Sequence, residues 1–253
     1  MSVLELQKDV IYGPINSRRL GRSLGINLLP AARKVCTFDC VYCQYGRAKA
    51  VSDPAAKIAF PPAAIVLRKL EEAVGQQPSP PDYLTFSGNG EPSLHPQFPE
   101  IVEEVRQLRD RMCPETRLAI LSNSSRVLRG EIRHAIETLD DPIMKLDAGD
   151  FDTLRQINRP AAGITFDKIM DGLAALPRLI IQSMIISGAV ENAKGEALED
   201  WFAAIARLSP VMVQIYSAER PVAETGVQRV PKETLEDLAR QTQQRTGIRV
   251  EAY

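Results

Sequence analysis

Short apolar runs and helix-period stretches alternate along almost the whole chain, and this alternation limits the fold more than any other feature. Runs of strand length recur as "GINLLP", "YLTFSG", "LAILSN", "IMKLDA", "LIIQSMII", "VMVQIYS" and "IRVEAY". Between them lie "PPAAIVLRKLEEAV", "HPQFPEIVEEVRQLRDRM", "RGEIRHAIETL", "TFDKIMDGLAAL", "ALEDWFAAIARL" and "PKETLEDLARQTQQRT". Strand–helix–strand repeats of this kind build a parallel sheet buried on both faces. Six such units make either an open doubly wound sheet or an incomplete barrel short of the usual eight. Periodicity does not choose between the two. In both, the loops leaving the carboxyl ends of the strands form the functional edge.

The chain has 253 residues, enough for one large α/β domain, and no repeat, low-complexity tract or linker divides it. Residues 1–253 are therefore read as a single domain, with a short segment, 1–23, ahead of the repeating units. A formal net charge of -1 gives no global pull toward nucleic acid or anionic lipid. No run reaches the roughly 18 apolar residues of a spanning helix. The opening "MSVLELQKDV" lacks the basic-then-apolar pattern of a secretory signal. The expected compartment is the reducing cytoplasm, where clustered cysteines read as metal or redox chemistry before disulfides.

Three of the four cysteines, Cys36, Cys40 and Cys43, fall in "CTFDCVYCQYG", in the loop after the first strand run. A tetrahedral zinc needs four ligands, commonly in paired elements. The nearest histidine is His95 and the fourth cysteine, Cys113, follows a predicted helix, so only a carboxylate such as Asp39 could complete a zinc shell. A [4Fe–4S] cluster takes one cysteine per iron when fully ligated. Three thiols would leave one iron open to chelate a small molecule. The next strand run ends in "SGNGEP", where glycines permit close backbone approach and Glu91 can accept from a cation. The plainer alternative places Glu91 near a helix N-terminus, where it is mildly favourable. "LSNSS" and "MKLDAGD" close the third and fourth runs. Ser122 and Asn123 in the first of these also suit a helix cap, and Lys145 and Asp147 in the second suit an internal ion pair. Gln182 is a lone amide in an apolar strand and is a candidate to face a barrel lumen.

The C-x3-C-x2-C spacing, with Tyr42 just before the third cysteine, resembles the signature of the radical S-adenosylmethionine (radical SAM) superfamily. The resemblance implies an incomplete (β/α)6 barrel of parallel strands with the cluster loop at 36–43, and a cytoplasmic enzyme. Its implied cofactors are a [4Fe–4S] cluster and SAM. An electron from the cluster cleaves SAM to methionine and a 5′-deoxyadenosyl radical, which takes a hydrogen from substrate. "SGNGEP" is similar to the glycine-and-glutamate motif of the superfamily. That likeness gives Gly88, Asn89, Gly90 and Glu91 the methionyl amino group, with Asn89 serving contact or shape. It further implies SAM carboxylate or ribose contacts at Ser122 and Asn123 and adenine recognition by the Tyr42 backbone. Asp147, costly if buried without a task, and the lone amide Gln182 are added as cofactor-binding candidates. No catalytic residue is assigned.

"YGPINSRRLGRSLGINLLP", "SGNGEPSLHP", "INRP" and "QIYSAERPVAE" extend the likeness to bacterial Fe–S oxidoreductases grouped with the wybutosine-biosynthesis enzyme 4-demethylwyosine synthase. That enzyme carries a second cluster held by three cysteines ahead of the first motif, and residues 1–35 here contain none. It also uses a lysine toward pyruvate, and no lysine is assigned that role here. The alternatives left open are a tRNA-modifying enzyme of that type and a non-catalytic Fe–S or zinc-binding protein. A small-molecule substrate is preferred to tRNA. Its anionic group is assigned to Arg18, Arg19 and Arg22 of "NSRRLGR", since guanidinium forks suit carboxylate or phosphate; the plainer reading is a solvated loop pairing with surface acids. An external donor of flavodoxin or ferredoxin type supplies electrons. Cys113 is read as a plain thiol and Trp201 as packing.

Overall fold

The computed structural model describes residues 3–52 and 58–253. An edge hairpin comes first: β1 (Ile11–Ser17) pairs antiparallel with β2 (Gly21–Ile26), and its register shifts between Tyr12 and Ile15. Six strand-then-helix units follow. After β2 come the cysteine loop and α1 (Ala63–Gly75), then β3 (Tyr83–Phe86) and α2 (Phe98–Met112), and β4 (Arg117–Ser122) and α3 (Gly130–Glu137). Next are β5 (Asp141–Lys145) with α4 (Phe151–Ile157) and α5 (Phe166–Ala174). β6 (Ile180–Met184) leads through β7 (Ile186–Gly188) to α6 (Gly195–Leu208). β8 (Met212–Tyr216) leads through β9 (Val227–Arg229) to α7 (Lys232–Thr246) and a last strand, β10 (Val250–Ala252).

Strand order decides what periodicity could not. The sheet runs β1-β2-β3-β4-β5-β6-β8-β10, parallel from β2 onward, so each strand lies beside the next and the order never reverses. A doubly wound sheet reverses once. With right-handed crossovers, an unreversed order puts every helix on one face and curls the other around a lumen. This is an incomplete barrel, open between β1 and β10. β7 and β9 form a separate small antiparallel pair.

Alternate residues serve the two faces. Leu24, Ile26, Leu84, Phe86, Leu118, Ile120, Ile181, Val213 and Ile215 point outward into the main core beneath the helices. α2 shows why the helices settle there: Phe98, Ile101, Val102, Val105 and Leu108 make one buried stripe at helical spacing. The inner face is much smaller. Ala119, Ile143 and Ile180 close around Leu20, which reaches in from the β1–β2 turn and plugs the amino end of the lumen.

The short pair β7 and β9 escapes the sequence reading, as do β1 and α4. β1 is a half-exposed edge strand whose "YGPI" contains Gly and Pro, a composition tolerated only at edges. α4 has seven residues, too few to display a period, and starts because the Asp150 side chain accepts from the Thr153 N–H at 2.8 Å.

Leu20→Ala is expected to destabilise the chain by about 2–5 kcal/mol, the range for emptying a buried leucine site. Equilibrium urea unfolding should show this as a lower midpoint with an unchanged slope. A loss well under that range would mean that Leu20 does not plug the barrel.

Candidate active site

The cysteine loop is stretched between two neighbours. Val35 bridges Gly90 in parallel fashion, with Val35 N–H donating to Asn89 O at 3.0 Å and Glu91 N–H donating to Val35 O at 3.1 Å. On the other side Phe38 bridges Pro160. There Asp39 and Val41 donate to the carbonyls of Asn158 and Ile157 at 3.0 and 2.9 Å. Farther out Arg47 pairs with both Asp39 and Glu224, and Arg159 pairs with Glu224 as well.

The glycines of "SGNGEP" are dictated by contact. At Gly90, φ +143°, a Cβ would lie 1.8 Å from Val35 O; at Gly88, φ +127°, it would lie 2.5 Å from Asn27 Oδ1. Only glycine allows both the backbone angle and the approach. Asn89 turns away from the cysteines. Its side chain accepts from Gln7 N–H at 2.8 Å and donates to Gln7 O and Pro30 O at 2.9 and 3.0 Å, so it shapes the loop and does not line the cavity.

Glu91 is buried and accepts four hydrogen bonds. Oε1 takes Ser93 N–H at 3.1 Å, Ser93 Oγ–H at 2.6 Å and Ser122 Oγ–H at 3.0 Å; Oε2 takes Asn123 N–H at 2.7 Å. It thereby caps the 3-10 turn Pro92–Leu94 as well. Burial pushes its carboxyl above the usual range, and the donors from Ser93, Asn123 and Ser122 oppose that. Asn123 carries the linkage onward: its Nδ2 donates to Thr37 Oγ1 at 2.7 Å and to Cys36 Sγ at 3.4 Å.

Cys36, Cys40, Cys43, Gly88, Gly90, Glu91, Ser122, Asn123, Gln182 and Tyr42 all line one cavity of about 260 Å³ at the carboxyl ends of the strands. Asp147 does not line it. Asp147 is buried beneath the cavity, where it accepts from the Tyr42 hydroxyl, from Asn158 Nδ2 at 2.6 Å and from Met184 N–H at 2.8 Å, and pairs with Lys145 at 3.3 Å. Burial disfavours the Lys145 charge, yet the Asp147 carboxylate, Tyr216 and Cys40 together outweigh it and hold the ammonium above its ordinary pKa. Lys145 itself lines the cavity and donates to the Tyr216 hydroxyl at 2.9 Å. Gln182 donates to Gln214 at 3.1 Å across the lumen wall.

Two contributors were missed. Asn158 of "INRP" donates to Cys40 Sγ at 3.4 Å and to the Tyr42 hydroxyl at 3.1 Å. Asn27 accepts the Asn89 N–H at 3.1 Å and holds the glycine loop. Neither asparagine carries a local signal, because each acts across many residues of sequence.

The three arginines separate. Arg18 forks onto Glu219 at 2.7 and 3.0 Å. Arg22 corrects the expectation of a shared anion site. It stands at the amino end of β2, where its guanidinium donates to Ser79 Oγ at 2.6 Å and to the Ser79 carbonyl at 2.5 Å, away from either cavity. Arg19 alone reaches the cysteine-lined cavity. Cys113 is buried in the outer core, and Trp201 is buried there with its Nε1–H donating to Leu146 O at 3.1 Å.

The thiols suit an iron–sulfur centre. Burial, and then the neighbouring Cys40, raise the Cys36 pKa to about 12; burial, and then the Asp147 charge, raise Cys40 to about 11. Bound metal is what makes such thiols thiolates, and amide N–H donors from Asn123 and Asn158 already point at two sulfurs. Among the described residues no three His, Cys, Asp or Glu side chains close on a point as ligands to one ion would. Three thiols lining one cavity would serve three irons of a cluster and leave the fourth open.

The radical SAM superfamily model matches residues 34–202. The chain belongs to that superfamily, and membership implies an enzyme of SAM-cleavage chemistry with a [4Fe–4S] cluster and SAM as cofactors. Within it, the chain is 32% identical over 216 residues to a UPF0026 protein of Synechocystis sp., covering 83% of this chain and 76% of that one. It is 37% identical over 183 residues to a UPF0026 protein of Methanocaldococcus jannaschii, covering 70% and 54%. It is 27% identical over 252 residues to a Brachyspira hyodysenteriae protein named GTPase Obg. That match covers 98% of this chain and 35% of that one, so most of that protein has no counterpart here. Among solved structures, TYW1 with a lysine-pyruvate adduct bound shares the fold at TM-score 0.63 and 15% identity, over 88% of this chain and 73% of that one. Streptococcus suis SuiB bound to S-adenosylmethionine gives 0.64 and 11%, over 90% and 50%. Among the described residues no helix is long and apolar enough to cross a membrane.

Gly90→Ala should force the cysteine loop off the end of β3, costing at least about 1–3 kcal/mol as a strained backbone position does. Urea denaturation of the apoprotein reads the loss. Gly75→Ala, with open space around its Cβ, should fall within about 0.5 kcal/mol of wild type. Equal behaviour of the two variants would refute the close Val35–Gly90 contact.

Proposed function

We propose that Cys36, Cys40 and Cys43 hold three irons of a [4Fe–4S] cluster and that the cavity beside them binds SAM at the fourth. The observation carrying this reading is that all three thiols and Gly88, Gly90 and Glu91 line one cavity at the carboxyl ends of the barrel strands. When bound, the cluster supplies an electron that splits SAM into methionine and a 5′-deoxyadenosyl radical, which removes hydrogen from substrate. The chain's own residues bind and orient. Glu91 Oε2, which accepts a single hydrogen bond, retains lone-pair capacity for the methionyl ammonium. Gly88 and Gly90 let the backbone come close, and Ser122, Asn123 and Gln182 present polar groups to the carboxylate and ribose. Tyr42 offers its backbone to the adenine, and Asp147, through Tyr42 and Asn158, keeps that backbone and Cys40 in place.

The substrate is a small anionic molecule rather than tRNA, and electrons come from a flavodoxin or ferredoxin. Supporting the first choice, Arg18 is paired with an acid and Arg22 is engaged at the far end, so "NSRRLGR" makes no continuous basic face. TYW1's lysine-pyruvate adduct has no assigned equivalent here, since Lys145 is charged and paired with Asp147.

Anaerobic reconstitution should give about four irons per chain, and Ala at Cys36, Cys40 or Cys43 should abolish them. Cys113→Ala should retain them. With SAM and a strong reductant the reconstituted protein should release 5′-deoxyadenosine; stoichiometric zinc, or no nucleoside, would overturn the reading. Glu91→Gln removes a charge while keeping shape, and should weaken SAM binding by about 10- to 100-fold, the value of one charge-assisted hydrogen bond. Bulk tRNA should not stimulate turnover, whereas a pool of small metabolites should.

A further inference from the structure

The lumen continues beyond the cysteine-lined cavity. A second cavity of about 330 Å³ lies between β1, β2, β3 and the segment after β8, with Leu20 among its lining residues. The two cavities share Arg19, Gln44, Leu121 and Tyr216, so they are adjoining chambers of one lumen. Inner barrel layers are ordinarily filled by branched aliphatic residues. Here Ser23 and Thr85 face each other at 2.7 Å, and the Tyr12 and Ser87 hydroxyls at 2.5 Å. Small hydroxyl side chains leave the space open and keep acceptor capacity toward it.

Of the two arginines lining this chamber that enter no ion pair among the described residues, Arg220 is exposed and Arg19 is half-buried. The Arg19 guanidinium stacks 4.6 Å from the Tyr216 ring centroid and 5.8 Å from that of Tyr253. Neighbouring cations are engaged: Arg18 with Glu219, and Lys145 with Asp147. A guanidinium held by its face keeps its N–H edge for a planar or tetrahedral oxyanion. It is half-buried, where such a contact is stronger than on the open surface.

We propose that this second chamber is the substrate site. Arg19 takes the carboxylate or phosphate of a small hydroxyl-bearing molecule, the Ser and Thr wall takes its hydroxyls, and the remainder points past Tyr216 and Leu121 toward the cysteine-lined cavity. The proposal rests on the reading of that cavity as the SAM site.

Titration calorimetry of the reconstituted protein with ribose 5-phosphate, malate and uncharged ribose tests it. At least one of the two anions should bind, which one showing whether phosphate or carboxylate is preferred, and ribose should bind much more weakly. Arg19→Gln, which keeps a stem over Tyr216, should weaken the anion by roughly 10-fold or more, while Arg22→Gln should bind as wild type. On the wild-type protein, independently of any variant's folding, the bound anion should protect Arg19 from phenylglyoxal, read by mass spectrometry. No anion binding, equal loss in both variants, or unprotected Arg19 would overturn the proposal. None of these readouts needs SAM cleavage, so absent deoxyadenosine with intact anion binding would count against the SAM reading alone.

Discussion

One buried carboxylate, Glu91, ties together the loops leaving three adjacent strands. It draws Ser93 from its own loop, Ser122 and Asn123 from the end of β4, and through the Asn123 amide it reaches Cys36 and Thr37 after β2. A buried carboxylate is costly unless its oxygens are satisfied. Here the four donors that satisfy it are also the groups that bring the cysteine loop and the β4 loop to one place. Glu91 is therefore both the turn cap that a plain reading of "SGNGEP" suggests and a polar group at the cavity wall. The two roles share one geometry and do not compete.

A second buried group balances the other side of the cavity. Asp147 accepts from Tyr42, Asn158 and the Met184 backbone while pairing with Lys145, whose ammonium lies over the Tyr42 and Tyr216 rings at 5.0 and 5.1 Å. Charge at this depth is tolerable because each member has several partners. The network links β5, β6, β8 and the cysteine loop, so the shape of the cavity floor depends on their relative placement.

How much of this was legible in sequence follows from how local each signal is. The strand and helix runs were readable because burial on both faces leaves continuous apolar stretches, as at Leu118–Leu121 of β4, and one-sided burial leaves a period, as in α2. Closure into a barrel was not readable from the runs themselves, since it depends on strand order, which no window of residues encodes; it was expected only from the family resemblance carried by the cysteine and glycine motifs. The cysteines and glycines were readable because their spacing is short and their roles are backbone-bound. Asn27, Asn158 and Lys145 were not read as parts of the site, because the contacts that place them there, to Asn89, Cys40 and Tyr216, span dozens of residues. Arg18, Arg19 and Arg22 looked equivalent in "NSRRLGR"; the hairpin turn between them sends one to Glu219, one into the lumen and one to Ser79.

The irregular β1 strand has a consequence for the company this protein keeps. An incomplete barrel leaves two free sheet edges, and a regular free edge offers a row of N–H and C=O groups on which another chain can add a strand. At β1 that row is interrupted: Pro14 has no N–H to offer, and the register slips between Tyr12 and Ile15. The same irregularity that hid β1 from a reading of its sequence makes this edge a poor template for strand addition. The barrel can thus stay open beside its second chamber without inviting aggregation there.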